Sequence, residues 1–251
     1  MSFNKIFIHL PHKLFKQLHM PENIRFNEIS IGEIVAADFR AAEIFKKAGI
    51  DFCCGGKKTL VGACNEKGLS SSILVGQLSE LETVPLSQGQ NFNEWDLNFL
   101  VDYIVNTHHK YVLKSLPDLV FYTQKIATVH GTTHPELIDV AELFGKINTE
   151  LLQHLRNEEE VLFPSVKTVL TGDSDFARAT IVAEITRMRG EHEFAGEAMD
   201  KIREITSGYL LPVDACNTYN VTFKLLSQFE DDLHIHVHLE NNILYPKALS
   251  L

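Results

Sequence analysis

Two segments of this chain place a histidine and a glutamate four residues apart, and both follow one template. One segment reads HLRNEEEVLFP from His154, and the other reads HVHLENNILYP from His236. In a helix, positions i and i+4 lie one turn apart on the same face. His154 and Glu158 can therefore present an imidazole and a carboxylate to one point, and His236 and Glu240 can do the same. Because the motif occurs twice, we interpret the two segments as two halves of one metal site.

Four long helical patterns carry these motifs, and no segment of any length shows strand-like alternation. We expect a break in the first pattern at Pro117, a kink or stop at Pro164 and Pro246, and a start of the fourth pattern near Pro212. The predicted fold is all-α, an up-down four-helix bundle, and such bundles commonly hold metals in their core. The four patterns cover about residues 94–130, 136–164 (or on to 170), 173–206 and 212–242.

A smaller helical unit precedes the bundle. Ser30 and Glu33 form a predicted capping box that opens one helix, and this helix is expected to end at Gly49. Two short helical stretches follow at about residues 60–66 and 71–82, before a polar segment that contains Pro and Gly. The predicted domains are an N-terminal extension (1–26), a small helical domain with adjacent cysteines (27–83), a linker (84–93) and the four-helix bundle (94–251).

The other two helices of the bundle should complete the metal site. The third pattern contains one histidine, His192, and the first offers His108 or His109, with His130 near its end. Four histidines and two bridging glutamates suit a dinuclear site, and this mixed shell suits iron and, less specifically, manganese or zinc. None of the residues three positions before the helical histidine candidates is acidic, which excludes the Glu-x-x-His pattern of ferritin-like di-iron bundles.

The order of these motifs resembles that of the RIC (repair of iron centres) family of di-iron proteins. Members of that family place a short domain with a Cys-Cys motif before a hemerythrin-like bundle, and here Asp-Phe-Cys-Cys-Gly-Gly precedes the bundle. The resemblance covers about residues 30–250, and alignment on Tyr-Ile-Val and Leu-Pro-Asp-Leu favours His109 over His108. It implies two non-haem iron ions with an oxo bridge and carboxylate bridges from both glutamates. The implied ligands are His109, His154, Glu158, His192, His236 and Glu240.

The remaining histidines receive a simpler interpretation. His234 and His238 form their own i, i+4 pair on another face of the fourth helix, without a glutamate downstream. We interpret both as solvated residues or as hydrogen-bond partners of ligands. The same interpretation applies to His130 and Glu159.

Two adjacent cysteines, Cys53 and Cys54, precede a Gly-Gly pair and two lysines. The glycines free the backbone, and the nearby cations favour the thiolate. Because adjacent cysteines close a disulfide only as a strained ring, we expect a role in transient thiol chemistry or iron transfer. The other two cysteines, Cys64 and Cys216, are interpreted as structural.

The composition of the chain indicates which partners and which cellular compartment to expect. The formal charge of −10 argues against nucleic acid or an anionic membrane as the main partner. No run approaches the roughly 20 apolar residues of a membrane span, and the N-terminus lacks the apolar stretch of a signal peptide. Four cysteines do not form a disulfide framework, so we expect a cytoplasmic protein.

The resemblance implies a stress-response function in the repair of iron–sulfur clusters damaged by nitric oxide or oxidants. The expected partners are damaged iron–sulfur proteins or a cluster-assembly scaffold, the small ligands NO and O2, an external electron donor and, as one option, a second copy of the chain. Iron donation and redox chemistry at the di-iron centre both remain open as the mechanism. The alternatives are a gas-binding or iron-storage module without repair activity, and a nitric oxide reductase.

Overall fold

The computed structural model describes Phe26, residues 29–83 and residues 91–251. The predicted N-terminal extension lies outside the described residues except for Phe26, and so do residues 84–90 of the predicted linker. Within the described part the chain is helical and forms no strand, with one isolated bridge between Ser30 and Thr59. The prediction of an all-α fold is confirmed. No helix in this part is both long and apolar enough to cross a membrane.

The chain divides into two compact units. Of the described residues, the first unit contains those up to Asp51 and from Gly55 to Asn91, and the second contains Phe52–Cys54 and Phe92–Leu251. The short segment that contains both adjacent cysteines therefore belongs to the same unit as the bundle.

The helices of the first unit begin at the predicted capping box. The Ser30 hydroxyl accepts the Glu33 N–H, and the Glu33 carboxylate accepts the Ser30 N–H. The prediction of one continuous helix up to Gly49 is wrong, because the chain becomes extended at Asp38, whose carboxylate accepts the Arg40 N–H at 3.0 Å. The helices are α1 (Ile31–Ala37), α2 (Ala41–Lys47), α3 (Leu60–Lys67) and α4 (Ser71–Glu82).

Four helical runs make up the bundle of the second unit. Helix α6 packs against α7 and α10, and α9 packs against α7. Short connections between successive runs are typical of an up-down bundle. A short 3-10 turn, Phe92–Glu94, precedes the first run. The runs are α5 (Leu97–Ile104), π1 (Val105–His109) and α6 (Lys110–His130); α7 (Glu136–Asn157), π2 (Glu158–Leu162) and α8 (Phe163–Thr171); α9 (Asp175–Ile205); and α10 (Asn217–His238), π3 (Leu239–Leu244) and α11 (Tyr245–Leu249).

Prolines shape these runs differently from the expectation. Helix α6 continues through Pro117 because buried Leu116 and Leu119 hold both sides of it in the core. The runs also continue past Pro164 and Pro246, and a π-helical segment precedes each proline. Each of these prolines therefore lies in the first turn of the α-helix that follows the π-helical segment, where a missing N–H costs little.

The fourth run starts later than predicted. Pro212 lies in a turn that is closed by a hydrogen bond from the Ala215 N–H to the Pro212 carbonyl, and α10 begins at Asn217. Cys216 thereby becomes the residue that caps the N-terminus of α10.

Candidate metal centre

Three of the six predicted ligands lie where the helical runs depart from regular α-helix, and the other three, His154, His192 and His236, lie within α-helices. His109 ends π1, Glu158 begins π2, and Glu240 lies in π3. The Phe163 N–H donates to the Glu158 carbonyl and the Tyr245 N–H to the Glu240 carbonyl, which are i→i−5 bonds. Such bulges re-aim side chains and are frequent at functional sites.

All six side chains meet in the core of the bundle, and none is more than 2 % exposed. They form two overlapping sets of two histidines and two glutamates, in which all ligand atoms lie within 4.8 Å of one another. Both sets contain Glu158 and Glu240. The first set is completed by His109 and His236, and the second by His154 and His192.

The imidazoles of His154 and His192 face each other in a way that fits a cation. Their Nε2 atoms are 3.0 Å apart. Nδ1 of His154 lies 2.7 Å from the Glu191 carboxylate, so it carries the proton and leaves a lone pair at Nε2. Nδ1 of His192 lies 3.1 Å from Oδ1 of Asn241, whose amide nitrogen donates to the Cys53 carbonyl. Two lone pairs at this distance repel each other unless a proton or a metal ion lies between them.

His109, in the other histidine pair, is held in the same tautomer as His154. Nδ1 of His109 lies 2.8 Å from Glu159, so Nε2 of His109 directs its lone pair toward Glu158 at 3.4 Å and Glu240 at 3.7 Å. Nε2 of His109 and one oxygen of each glutamate are buried and make no hydrogen bond. Buried polar atoms without partners are rare in native proteins, and a missing ion is one of the standard reasons for them. The donor set therefore fits a metal centre.

Protonation takes the place of a cation in the metal-free site. Burial opposes a charge on His109, but Glu158 and Glu240 outweigh it and raise the pKa of His109 to about 10. In the same way, Glu240 overcomes the effect of burial and raises the pKa of His192 to about 9. The pKa of Glu240 is lowered, since its imidazole neighbours overcome the opposite effect of burial. The site attracts positive charge, which is the property that a cation site requires.

Comparison with known proteins agrees with this geometry. The sequence matches the Hemerythrin HHE cation binding domain over residues 100–248 and ScdA_N, a domain of unknown function (DUF542), over residues 27–82. Iron-sulfur cluster repair protein YtfE of Yersinia pestis (strain Pestoides F) is 34% identical over 220 residues, which are 88% of this chain and 96% of that protein. The same protein of Yersinia pseudotuberculosis (serotype O:1b, strain IP 31758) matches equally. This chain belongs to the RIC family.

Several neighbours of the centre in this RIC family member were not singled out from the sequence. Glu191 contacts His154, Asn241 contacts His192, and the Tyr245 hydroxyl donates to Glu158 at 2.8 Å. Glu191 and Asn241 are each adjacent in sequence to a predicted ligand, which is a signal that could have found them.

The histidines without a predicted ligand role have different environments. His108 lies 3.0 Å from Asp232 and stacks on His236 with the two rings 7° from parallel. His238 is fully buried, so it is not a solvated residue, and burial lowers its pKa to about 3. His234 is half-buried. His130 has no contact with the centre, because it lies at the far end of α6 and contacts Cys216.

The adjacent cysteines of this family member lie against the run that carries His192. The Cys54 thiol donates to the His192 carbonyl at 3.3 Å, and the Cys53 carbonyl accepts from Asn241. Cys53 is buried and Cys54 half-buried, with their sulfurs 3.7 Å apart. Gly196 allows this approach, because a Cβ at that position would come within 3.0 Å of the Cys54 sulfur.

Proposed function

We propose that this chain repairs damaged iron–sulfur clusters through a non-haem centre of two iron ions. The observation that carries the proposal is the pair of overlapping donor sets that share both carboxylates. Each ion would take two imidazoles, and the two carboxylates would bridge the ions. The six proposed ligands are His109, His154, His192, His236, Glu158 and Glu240.

The chemistry of the donors supports iron. Imidazole and carboxylate donors together suit iron, whereas a structural zinc site more often uses thiolates in a closed set of four. No sulfur belongs to either donor set. The two relatives named iron-sulfur cluster repair protein YtfE match this chain over nearly their whole length.

The surrounding residues would orient the donors and keep the site dry. Glu159 and Glu191 accept the Nδ1 protons of His109 and His154, which fixes the tautomer that presents Nε2 to a metal. When bound, the two irons would supply one-electron redox chemistry and a position for a small ligand such as NO or O2. Electrons would come from an external donor.

The adjacent cysteines would connect the centre to its targets. The Cys54 thiol lies one hydrogen bond from the backbone of His192, so it is close to the proposed iron ligands without belonging to either donor set. We propose that this pair receives iron and delivers it to a damaged iron–sulfur protein or an assembly scaffold, while the external donor supplies the electrons for reduction. None of the four cysteines, all of which are described, forms a disulfide, and this thiol state supports action in a reducing, cytoplasmic setting.

Iron content tests the centre. Protein made in iron-replete cells should contain about two irons per chain, since two donor sets are present. Glu158→Leu and Glu240→Leu should each retain less than about half of that iron, because a shared carboxylate serves both ions. Glu160→Leu is the matched control, because Glu160 is exposed two residues further along and should keep its iron. Full iron retention in both glutamate variants would refute the bridging assignment.

Repair activity tests the function. The assay follows the recovery of a [4Fe–4S] enzyme that nitric oxide has inactivated. The double variant Cys53→Ser/Cys54→Ser should keep its iron and lose most of the recovery, whereas Cys216→Ser should resemble the wild type. Recovery that is independent of the chain, despite a full iron load, would favour a gas-binding or storage module instead.

A further inference from the structure

The two copies of the metal motif differ at their aromatic position. Phe163 in the first copy stacks on His109, with ring centroids 5.7 Å apart, and Tyr245 in the second stacks on His192 at 5.8 Å. The two aromatic rings thus occupy equivalent places, each against a proposed ligand from a neighbouring run. The only chemical difference is the hydroxyl group of Tyr245.

That hydroxyl group contacts one carboxylate of the centre. It donates to Oε1 of Glu158 at 2.8 Å, and both side chains are fully buried. An ionised carboxylate can only accept hydrogen bonds, so the phenol is the donor in this contact. The other oxygen of Glu158 faces His109 and His154, each at 3.4 Å.

Glu240 has no equivalent donor among the described residues. Its recorded partners are three imidazoles: His236 at 3.0 Å, His192 at 3.1 Å and His109 at 3.7 Å. All three are proposed iron ligands, so none is a fixed donor from outside the centre. One shared carboxylate is therefore held by a tyrosine, and the other is held only within the centre itself.

We propose that Tyr245 is a positioning residue that fixes Glu158 and makes the two shared carboxylates unequal. The inference rests on the proposed di-iron function. A hydrogen bond to a ligating carboxylate withdraws electron density from it and fixes its orientation, and partners of this kind tune both metal affinity and redox potential. Glu240 then becomes the carboxylate that is free to shift when the charge of the centre changes.

The test uses the iron-loaded full-length protein. Tyr245→Phe should still bind two irons, but it should lose them to a chelator about tenfold faster than the wild type, as expected for loss of an outer hydrogen bond. Its reduction potential should fall, since Glu158 without the hydrogen bond becomes a stronger donor to ferric iron. Tyr219→Phe is the matched control, because Tyr219 is an equally buried tyrosine near the other end of the bundle.

A double variant tests the equivalence of the two aromatic positions. Phe163→Tyr/Tyr245→Phe moves the hydroxyl group to the other copy of the motif. It should raise the potential again and slow iron release relative to Tyr245→Phe. If the double variant does not fold, Tyr245→Phe decides the proposal alone.

The outcomes separate this inference from the proposed function. If Tyr245→Phe matches the wild type in both release rate and potential while both bind two irons, the positioning role is refuted and the di-iron centre stands. If the wild type binds no iron under iron-replete conditions, the proposed function falls, and this inference falls with it.

Discussion

Two clusters of histidines and acidic residues lie at opposite ends of helix α6. The metal centre begins at His109, just before α6, and a second group, here called the distal cluster, contains His130 at its end. A helix of this length separates the two clusters by about 30 Å. The distal cluster consists of His130, His134, Glu136, Asp214 and Cys216.

Residue types alone would make the two clusters look alike, but their surroundings differ. In the distal cluster, His134 lies 3.0 Å from Asp214 and 3.3 Å from Glu136, and the carboxylates are partly or largely exposed. Solvent completes the hydrogen bonding of such groups and screens their charges. In the metal centre, by contrast, Nε2 of His109, Nδ1 of His236 and one oxygen each of Glu158 and Glu240 are buried without a hydrogen bond. Burial without partners, rather than the presence of histidines and carboxylates, distinguishes a cation site from an ordinary polar cluster.

Replacing a carboxylate that hydrogen-bonds a histidine should affect iron affinity in the metal centre but not in the distal cluster. Glu191→Gln weakens the acceptor that holds the Nδ1 proton of His154, at 2.7 Å in the structure. We expect iron affinity to fall about 10- to 100-fold, which is usual for such partners. Asp214→Asn makes the same chemical change beside His134 and should leave iron affinity unchanged. Competition with a chelator of known affinity measures both, and equal effects would remove the distinction between the clusters.

The sequence pattern was sufficient to predict the contacts between residues that are close together in the chain. His154 with Glu158 and His236 with Glu240 are separated by one helical turn, so their convergence follows from helix geometry. The Ser30–Glu33 capping box is equally local, and the structure confirms it. The repeated motif then identified which two of the four runs carry these pairs.

Contacts between distant residues could not be predicted in this way. Tyr245 and Glu158 are 87 residues apart, and His154 and Glu191 are 37 apart. Such pairings depend on how the runs pack, which helical periodicity leaves open. The π-helical segments were missed for a related reason, because Pro164 and Pro246 indicate a kink or stop in an α-helix and the bundle core instead supports a wider turn.

The exposure of Cys216 was also missed. The fourth pattern suggested a helix from about Pro212, which would have placed this cysteine inside the helix, where a structural role is reasonable. The chain instead forms a turn at Pro212, so Cys216 lies at the N-terminus of α10 and its side chain is exposed.

Removal of the metal should make the folding stability of the protein depend on pH, because the buried histidines of the metal centre can then take up protons. In the metal-free protein the pKa values of His109 and His192 are raised to about 10 and 9, above the value of about 6.5 in an unfolded chain. Their contribution to folding stability is fully present below about pH 6.5 and is lost as the pH rises through 9 and 10. Glu240, whose pKa is lowered, contributes above about pH 4.3 and loses this contribution as the pH falls.

Thermal unfolding of chelator-treated protein measures this effect. We expect the melting temperature to fall by several degrees between pH 6.5 and pH 10, since each kcal/mol corresponds to about 2–4 °C in a domain of this size. The iron-loaded protein should change less, because a bound metal has already displaced the protons. His134→Gln is the control at the exposed end and should alter the pH profile of the metal-free protein much less, because solvent screens the charge of Asp214 that raises the pKa of His134. A flat profile in the wild type would show that the buried histidines are not charged.

The smallest expected effect is a change in the reactivity of the Cys216 thiol, and it concerns only the distal cluster. The Tyr219 backbone N–H and the His130 imidazole, whose Nε2 lies 3.2 Å from the sulfur, lower the pKa of the Cys216 thiol to about 7. Because the thiolate is the reactive form, alkylation by iodoacetamide should rise with a midpoint near pH 7, rather than near the ordinary value of about 8.5. His130→Gln should move this midpoint upward, and His134→Gln should not. The midpoint is a better measure than the rate, since a thiolate of lower pKa is also a weaker nucleophile. Peptide mapping by mass spectrometry identifies which cysteine has been alkylated. A midpoint near about pH 8.5 that does not change in His130→Gln would show that the distal cluster does not lower the pKa of the Cys216 thiol.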